Sequence, residues 1–198
     1  EEDLPGINAI DMGHPLIADY KRVNNDFQME GIGSLMLITG SNMSGKSTFL
    51  RTIGINLCLA QAGGPVCARH FLTSLLRICC SLRIKDDLEE GVSYFYAEVK
   101  RLKRILEDTK DRSSLPVLFL IDEIFKGTNN HERIIGSRYY LENLITHNGL
   151  GLVTTHDLDI SSLEYENKGI TNFHFQDQIM NGQLIFDYKL HQGPCPTT

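Results

Sequence analysis

The sequence predicts an α/β fold in which helices flank a mostly parallel central sheet, with a small antiparallel flap at the N-terminal end and a β-hairpin at the C-terminal end. Three observations predict it. A glycine-rich loop joins a short apolar strand, Leu35 to Thr39, to a helix. A second apolar run, Leu115 to Ile121, ends in two carboxylates. Residues 170–190 alternate between apolar and polar around Asn181-Gly182.

The glycine-rich loop carries the clearest chemistry. Residues 40–47, Gly-Ser-Asn-Met-Ser-Gly-Lys-Ser, match the pattern G-x-x-x-x-G-K-[ST] of nucleotide-binding P-loops, or Walker A motifs. Glycines let successive backbone N–H groups point at phosphate oxygens, and the following helix adds its positive dipole end. Lys46 is placed to neutralise the β- and γ-phosphates, and the Ser47 hydroxyl to bind Mg²⁺. The predicted nucleotide-binding residues are Gly40, Ser41, Asn42, Met43, Ser44, Gly45, Lys46, Ser47 and Thr48.

Length and composition predict one globular domain. A chain of 198 residues accommodates a single α/β domain over residues 1–198, with a lead-in flap at 1–34 and a P-loop core at 35–198. Its apolar and charged fractions, 41% and 22%, are ordinary for a globular protein and give no indication of a disordered or fibrous chain. No apolar run approaches the about 18 residues that a membrane-spanning helix needs. The first residues, Glu-Glu-Asp-Leu-Pro, contain neither an initiator Met nor a signal peptide, so we expect a fragment of a longer chain.

The net charge and the cysteines indicate how the protein meets nucleic acid and in which redox compartment it works. A net charge of −6 argues against a broad DNA-gripping face, because phosphate neutralisation supplies most of the affinity for DNA. A nucleic-acid partner would therefore be held by other parts of the parent protein. The cysteines show neither C-x-x-C pairs nor the spacing of a metal site, which predicts reduced, buried thiols in a cytosolic protein. They are Cys58, Cys67, Cys79, Cys80 and Cys195.

The first third of the chain predicts the flap, the P-loop helix and two strands. Turn residues around Gly13 to Ile17 and Val23 to Asp26 predict short antiparallel strands beside the nucleotide. We interpret His14 as a surface or turn histidine rather than a ligand contact. Apolar residues at helical spacing predict a helix from Ser47 to Ala62, which Gly63-Gly64-Pro65 ends. The expected strands after it are Val66 to Ala68 and a buried strand at Leu75 to Leu82.

A helix with one apolar face is predicted next. Ser93 stands at its N-cap position, and one face carries Ala97, Val99, Leu102, Ile105 and Leu106. Four basic residues, Lys100, Arg101, Lys103 and Arg104, lie largely on the other faces. We interpret them as a solvated surface in preference to a DNA contact. Residues 108–114 are expected to form a polar loop.

The run from Leu115 to Ile121 predicts a central parallel strand whose carboxyl end meets a site. In a P-loop protein this is the Walker B strand. Asp122 would hold Mg²⁺ through water, and Glu123 would orient or deprotonate the attacking water. A glutamate directly after the aspartate favours hydrolysis over transfer of the phosphoryl group to a second substrate.

The last third predicts a helix, a strand and the closing hairpin. Residues 132–146 carry Ile134, Ile135, Tyr139, Leu141 and Leu144 on or near the buried side of a helix. A short strand, Gly151 to Thr155, leads into His156. A histidine at the carboxyl end of a strand beside the two site strands is placed to sense the γ-phosphate. The hairpin turns at Asn181-Gly182 and closes the sheet edge.

Several motifs in a fixed order now point to a family. They are Asn42-Met43 within the P-loop, the stretch Asp86 to Glu98 (Asp-Asp-Leu-x-x-Gly-x-Ser-x-Phe-x-x-Glu), Asp122 to Thr128 (Asp-Glu-Ile-x-x-Gly-Thr) and Thr154-Thr155-His156. Gly13-His14-Pro15, Asn25-Asp26 and the terminal Tyr188 to Gly193 extend the pattern over essentially the whole chain. Together these motifs resemble the C-terminal ATPase domain of the MutS DNA mismatch-repair family.

The resemblance implies an ABC-type ATPase that binds ATP or ADP with Mg²⁺ and hydrolyses ATP to ADP and phosphate. It implies a dimer with a second copy or a paralogue, with the nucleotide sites at the interface. The signature serine, here Ser93, completes the opposite site in trans, and Gly127 to Asn130 link the two sites. ATP binding would close a mismatch-recognition dimer and hydrolysis would reset it, with DNA held by other domains, in the cytoplasm at the nucleoid.

The chain departs from the family pattern at three places. Phe125-Lys126 stands where the family usually has Arg, a Tyr follows Ser93 where Thr is common, and Arg22-Val23 occupies the place of an aromatic that packs on adenine. An Arg can also stack on a purine. The departures are consistent with a divergent branch that acts on branched or recombination DNA. The chain stops at Thr198, where the family continues into dimerising helices, so we expect the fragment to be monomeric.

Three other function classes stay open at this point. An ABC-type ATPase of a transporter or a chromosome-structuring protein would carry a Leu-Ser-Gly-Gly-like signature, which is absent around Ser93. A nucleotide-sensing module without turnover would not need Glu123. A P-loop kinase would need a lid for a second substrate, and the sequence shows none.

Overall fold

The computed structural model describes residues 4–82, 94–125, 129–180 and 183–195. Its elements, in chain order, are β1 (Gly6–Met12), β2 (Asn25–Glu30), β3 (Leu35–Thr39), α1 (Lys46–Gln61), β4 (His70–Thr73), β5 (Arg77–Ser81), α2 (Tyr94–Lys110), β6 (Val117–Asp122), α3 (Asn130–Leu144), β7 (Gly149–Thr154), a 3₁₀ turn (Leu158–Ser162), α4 (Leu163–Glu166), β8 (Ile170–Met180) and β9 (Gln183–Gln192). Within these ranges, no helix has the length and apolar character needed to cross a bilayer.

A six-stranded sheet forms the centre of the fold. Its strand order is β5-β6-β7-β3-β8-β9, and every neighbouring pair is parallel except β8 with β9. The predicted mixed α/β fold with a mostly parallel sheet is thus confirmed, and so is the closing hairpin. The predicted Asn181-Gly182 turn lies outside the described residues. The carboxyl ends of β3, β6 and β7 meet at one edge of the sheet, where ligands bind in open α/β folds.

Alternation along each strand divides the core into two clusters. Met36 and Ile38 of β3 pack on the α1 side, whereas Leu35 and Leu37 pack on the side of α2 and α3. Residues Val117 to Ile121 of β6 are all buried, because helices cover both faces of the sheet at this strand. This coverage explains why interior strands appear in the sequence as continuous apolar runs.

A second, three-stranded antiparallel sheet forms the predicted flap, in the order β2-β1-β4. Its third strand comes after α1, so the flap is not built from residues 1–34 alone. Asn25 joins it to the hairpin, since its Nδ2 donates to the Tyr188 carbonyl at 3.1 Å and its Oδ1 accepts from the Leu190 N–H at 2.8 Å.

The predicted strand at Val66 to Ala68 is wrong, and the strand in this region is β4. Cys67 is held instead by side-chain and loop contacts. Its N–H donates to Oδ1 of Asn56 at 2.7 Å, and its carbonyl accepts from the Gly13 N–H at 2.8 Å. The chain therefore crosses the end of α1 as an extended loop before it joins the small sheet.

Burial differs from expectation at β5, α3 and the cysteines. β5 lies at the edge of the sheet and is mostly half-buried, because it has one neighbouring strand among the described residues. On α3, Tyr140, Leu141 and Leu144 face the core, which turns Ile135 (55% exposed) and Tyr139 (72% exposed) outward. All five cysteines are free thiols, as predicted, but Cys58 is exposed and the other four are only partly buried.

Candidate functional site

A cavity of about 650 Å³ opens where the glycine-rich loop leaves β3 and enters α1. The small sheet and the hairpin supply its opposite wall. Seven of the nine predicted nucleotide-binding residues, Asn42 to Thr48, line the cavity, together with Glu123. Gly40 and Ser41 do not line it but contact the lysine that does.

The loop has a backbone shape that depends on glycine. Gly40 and Gly45 have φ angles of 140° and 110°, in the region that side chains other than glycine rarely enter. A Cβ on Gly40 would lie 2.7 Å from the Phe175 carbonyl oxygen, so β8 approaches the loop too closely for any side chain there. Gly45 is the N-cap of α1 and supplies no capping side chain, so the first N–H groups of the helix point towards the loop.

Lys46 is almost completely buried, with 5% of its surface exposed. Its Nζ donates to the carbonyl oxygens of Gly40 and Ser41, each at 2.7 Å. Burial lowers the pKa of this amine, while the nearby carboxylates of Glu123 and Asp122 oppose that shift. The ammonium group thus lies at the base of the loop, held by carbonyl groups that it can exchange for stronger, anionic acceptors.

Two loop hydroxyls have buried oxygens with no hydrogen-bond partner, Oγ of Ser41 and Oγ of Ser44. A buried polar atom without a partner costs about 1–3 kcal/mol, and a ligand that accepts from these hydroxyls would remove that cost. Both hydroxyls belong to the loop whose N–H groups suit phosphate.

Behind the loop, a chain of hydrogen bonds connects three elements. Ser47 Oγ donates to Oδ1 of Asp122 at 2.9 Å, which ties the start of α1 to the end of β6. Thr154 Oγ1 donates to the same oxygen at 2.8 Å and accepts from the Glu123 N–H at 2.9 Å. The Asp122 carboxylate therefore lies between two hydroxyl groups, and Thr154 fixes the backbone of the residue that follows it.

Thr154 is a site residue to which sequence reasoning assigned no role. It is fully buried at the end of β7 and faces Asp122 in the register of the parallel pair β6–β7. The available signal was its position as the last residue of a strand next to the one that ends in Asp122.

Glu123 lies in the left-handed backbone region with φ 56°, as does Phe125 with φ 54°. Such angles cost about 1–3 kcal/mol for residues with a side chain and are concentrated at functional sites. The strained turn follows the last residue of β6 and places Glu123 on the cavity wall. Its carboxylate and the Lys46 amine thus belong to one cavity.

The donor set fits a hard divalent cation. A serine hydroxyl and an aspartate carboxylate, 2.9 Å apart, are oxygen ligands of the kind that Mg²⁺ takes together with water and phosphate. In the described part of the chain no cluster of three His, Cys, Asp or Glu residues forms an all-protein metal site. The arrangement suits an ion that arrives with phosphate oxygens of its own.

The opposite wall carries Tyr188, Arg22 and His14. Arg22 is held in place, because its guanidinium contacts Asp19 at 2.6 Å, the Asn24 side chain at 3.0 Å and the Ile17 carbonyl at 3.1 Å. Tyr188 has a φ of 55°, and its carbonyl oxygen accepts the hydrogen bond from Asn25 that joins the small sheet to the hairpin. This wall is apolar and aromatic in part, and it lies beyond the phosphate-binding loop.

His14 does lie in a turn, as expected, but it also lines the cavity. Its Nδ1 accepts from the Leu16 N–H at 3.2 Å, which leaves Nε2 as the protonated nitrogen of the neutral ring. Burial and the nearby Arg51 lower the pKa of His14. The neutral ring is therefore favoured, with one N–H donor to offer.

Comparison with known proteins decides the family. A family model for MutS domain V matches residues 36–198. The chain belongs to the MutS family. It is similar to MutS protein homolog 4 of Mus musculus, with 34% identity over 197 residues, 93% of this chain and 20% of that protein. It is 31% identical over 195 residues to the DNA mismatch repair protein MutS of Macrococcus caseolyticus (strain JCSC5402), which covers 94% of this chain and 22% of the relative.

A third relative is the DNA mismatch repair protein MutS of Nitratidesulfovibrio vulgaris (strain DP4), 36% identical over 177 residues, 87% of this chain and 19% of the relative. This MutS-family chain spans about a fifth of the length of the curated relatives it matches. The region that the family model matches, 36–198, includes the glycine-rich loop, the end of β6 and the hairpin.

Two predictions remain for the MutS-family chain, one on His156 and one on Ser93 and the loop from Gly127 to Asn130. His156 follows β7 at the same edge of the sheet, but it is exposed and is not part of the cavity lining. Its role as a phosphate sensor stays a prediction. Ser93, Lys126, Gly127 and Thr128 lie outside the described residues, and so does most of the stretch from Asp86 to Glu98.

Proposed function

We propose that this chain is an ATPase domain that binds ATP with Mg²⁺ and hydrolyses it to ADP and phosphate, within a dimeric protein of DNA mismatch repair. The observation that carries the proposal is the placement of Lys46, Ser47 and Glu123 around one cavity at the carboxyl edge of a parallel sheet, with Asp122 hydrogen-bonded to Ser47 behind it. A P-loop fold of the ABC type agrees with this placement.

The loop residues would bind the phosphates. The N–H groups from Asn42 to Thr48 and the buried hydroxyls of Ser41 and Ser44 are the donors available at the loop. Lys46 would exchange its bonds to the Gly40 and Ser41 carbonyls for phosphate oxygens, which accept more strongly because they are charged.

Ser47 and Asp122 would hold the metal, the carboxylate through water. Mg²⁺, when bound, neutralises charge on the β- and γ-phosphate oxygens during transfer. Glu123 would accept a proton from the attacking water or orient it. The Thr154 hydroxyl accepts a hydrogen bond from the Glu123 N–H, which fixes the backbone of the proposed base, Glu123.

The nucleoside would lie against the opposite wall. Tyr188 offers a ring for stacking on the base, and the N–H of His14 at Nε2 offers a donor near the sugar. The guanidinium of Arg22 is engaged in three contacts, which agrees better with a positioning role than with free stacking on adenine.

The wider role is inferred from the relatives named above. A second copy or a paralogue would complete each site with Ser93, His156 would sense the γ-phosphate, and DNA would be held by other domains of the parent protein. The net charge of −6 is consistent with DNA bound elsewhere. We place the protein in the cytoplasm, at the nucleoid.

The test is hydrolysis by the Glu123→Gln variant. We expect its rate of phosphate release to fall by a factor of about 100 or more, because a positioned base contributes that much. ATP binding should persist, so the variant accumulates bound ATP. Glu107→Gln, an exposed acid on α2, is the matched control and should hydrolyse ATP at the wild-type rate. An unchanged rate in Glu123→Gln would contradict the assigned role.

A further inference from the structure

A second groove, of about 500 Å³, lies where α2 passes the edge strand β5. Its floor is formed by Ile78, Cys79 and Cys80. Ile78 and Cys80 pack against the core cluster on one face of the sheet and Cys79 against the cluster on the other. Because the lining takes side chains from both faces of β5, the groove runs along the edge of this strand.

Among the described residues, the backbone of β5 pairs with another strand along one edge only. It pairs in parallel with β6 from Arg77 to Ser81, and no described strand pairs with its other edge. An edge strand presents a row of N–H and C=O groups that can pair with another extended segment. Added strands of this kind gain main-chain hydrogen bonds, and alternate side chains reach the flanking surface.

The wall above this edge is cationic. Lys100, Arg101 and Arg104 of α2 all line the groove. Arg104 is 84% exposed at its side chain and pairs with Asp108 only at 3.9 Å, a contact of little energetic weight. Among the described residues the structure shows no ion pair for Lys100 or Arg101. Of the described residues that line the groove, Asp108, at one end, is the only one with a carboxylate.

The thiols add no compensating negative charge. Burial raises the pKa of Cys80 to about 11, and burial and Asp108 raise the pKa of Cys79, so both are neutral at physiological pH. The described residues of the groove therefore form a local positive surface with an apolar floor, on a chain whose net charge is −6.

We propose that this groove binds an extended, acidic segment of a partner protein, which adds a strand to β5 and places its carboxylates against Lys100, Arg101 and Arg104. The edge of β5 that no described strand pairs with sets the extended conformation, the apolar floor takes the side chains that point inward, and the cations select acidic residues. Duplex DNA fits less well, because it binds to broad basic faces through many phosphates, whereas this groove is narrow and partly apolar.

The probe is a fluorescently labelled peptide in which glutamate alternates with valine, and its binding to the 198-residue chain is followed by anisotropy. We expect saturable binding that weakens as salt rises and falls at least about tenfold in the double variant Lys100→Glu/Arg101→Glu. Lys103→Glu is the matched control: this lysine is 73% exposed on the same helix and does not line the groove. It should bind as wild type does.

Two altered peptides separate the parts of the proposal. Replacing glutamate by glutamine should abolish binding if the cations select charge. N-methylation of alternate residues should abolish it if the peptide pairs with β5, since it removes the main-chain donors. Equal losses in the Lys103→Glu control, undiminished binding of the N-methylated peptide, or preferred binding of duplex DNA through Lys100 and Arg101 would each overturn the proposal. Thermal unfolding of each variant checks that the fold is retained.

Discussion

The Asp122 carboxylate, at the end of β6, shows how one residue collects contacts from two other elements. Ser47 from α1 and Thr154 from β7 both donate to its Oδ1, and Thr154 also holds the Glu123 N–H. The proposed metal ligand and the proposed base are therefore fixed through one threonine hydroxyl. We expect that hydroxyl to matter for the rate of hydrolysis more than for ATP affinity, because Thr154 does not line the cavity.

Thr154→Val tests this. The change keeps the shape and removes one donor and one acceptor, so the hydrolysis rate should fall by about tenfold or more while ATP affinity changes by less than about threefold. Thr155→Val, at the next residue, is the control; its hydroxyl accepts from the Asp157 N–H and touches neither Asp122 nor Glu123. Phosphate release and ATP titration measure the two quantities. Equal effects of both substitutions on the rate would contradict the role of Thr154.

The sequence predicted those site residues that are close to one another along the chain and therefore form short motifs. Lys46 and Ser47 belong to one loop motif, and Asp122 and Glu123 end one strand, so short patterns found them. Thr154 belongs to the Thr154-Thr155-His156 motif, but its contact with Asp122 depends on the register between two strands, so the motif did not indicate its role. His14 enters the cavity because contacts between distant residues hold the preceding Gly13, whereas His156 is exposed and does not line it.

The helix α1 is the element that positions the site, and Asn56 anchors it. This fully buried side chain donates to the Gly13 carbonyl at 3.0 Å and the Thr52 carbonyl at 2.8 Å, and accepts from the Cys67 N–H at 2.7 Å. A Cβ on Gly13 would lie 2.1 Å from Oδ1 of Asn24, so a larger residue here would displace the side chains of Asn24 and Arg22. The two loop segments beside α1, at Gly13 and at Cys67, are thus joined to the helix by the side-chain amide of Asn56.

Asn56→Ala should lower the free energy of unfolding by about 2–4 kcal/mol, because the Gly13 carbonyl and the Cys67 N–H lose their buried partner. Gln61→Ala on the same helix removes one hydrogen bond, to the Leu76 carbonyl, and should cost less than about 1 kcal/mol. Urea denaturation of both variants gives the comparison. A cost for Asn56→Ala no greater than that of the control would refute the anchoring role.

Elements were predicted where burial leaves a continuous pattern. The apolar residues of β6 are all buried, so a continuous apolar run identified this strand. α1 is buried along one face, so apolar residues at helical spacing identified it. The strand expected at Val66 to Ala68 is a loop, because its backbone groups bond to Asn56 and Gly13 rather than to a neighbouring strand. At α3, Ile135 and Tyr139 are exposed although they are apolar, because the packed face is fixed by Tyr140, Leu141 and Leu144. Side-chain type alone does not reveal which face meets the core.

For the whole molecule, the cavity depends on the contact between the two sheets. Asn25 binds the backbone of the hairpin on either side of Lys189, and Nζ of Lys189 donates to the Asn24 carbonyl at 2.6 Å. The flap wall and the loop wall are thereby held together. The sequence predicted a flap and a core but not this junction, since its contacts join residues far apart in the chain.

The central claim is that the loop at 40–47 binds ATP with Mg²⁺, and calorimetric titration of ATP into the wild-type chain and the Lys46→Ala variant tests it most directly. We expect one site per chain, tighter binding with Mg²⁺ than without it, and a loss of affinity of at least about tenfold in Lys46→Ala. Lys103→Ala, an exposed lysine on α2, should bind as wild type does. ATP binding that is unchanged in Lys46→Ala would contradict the account.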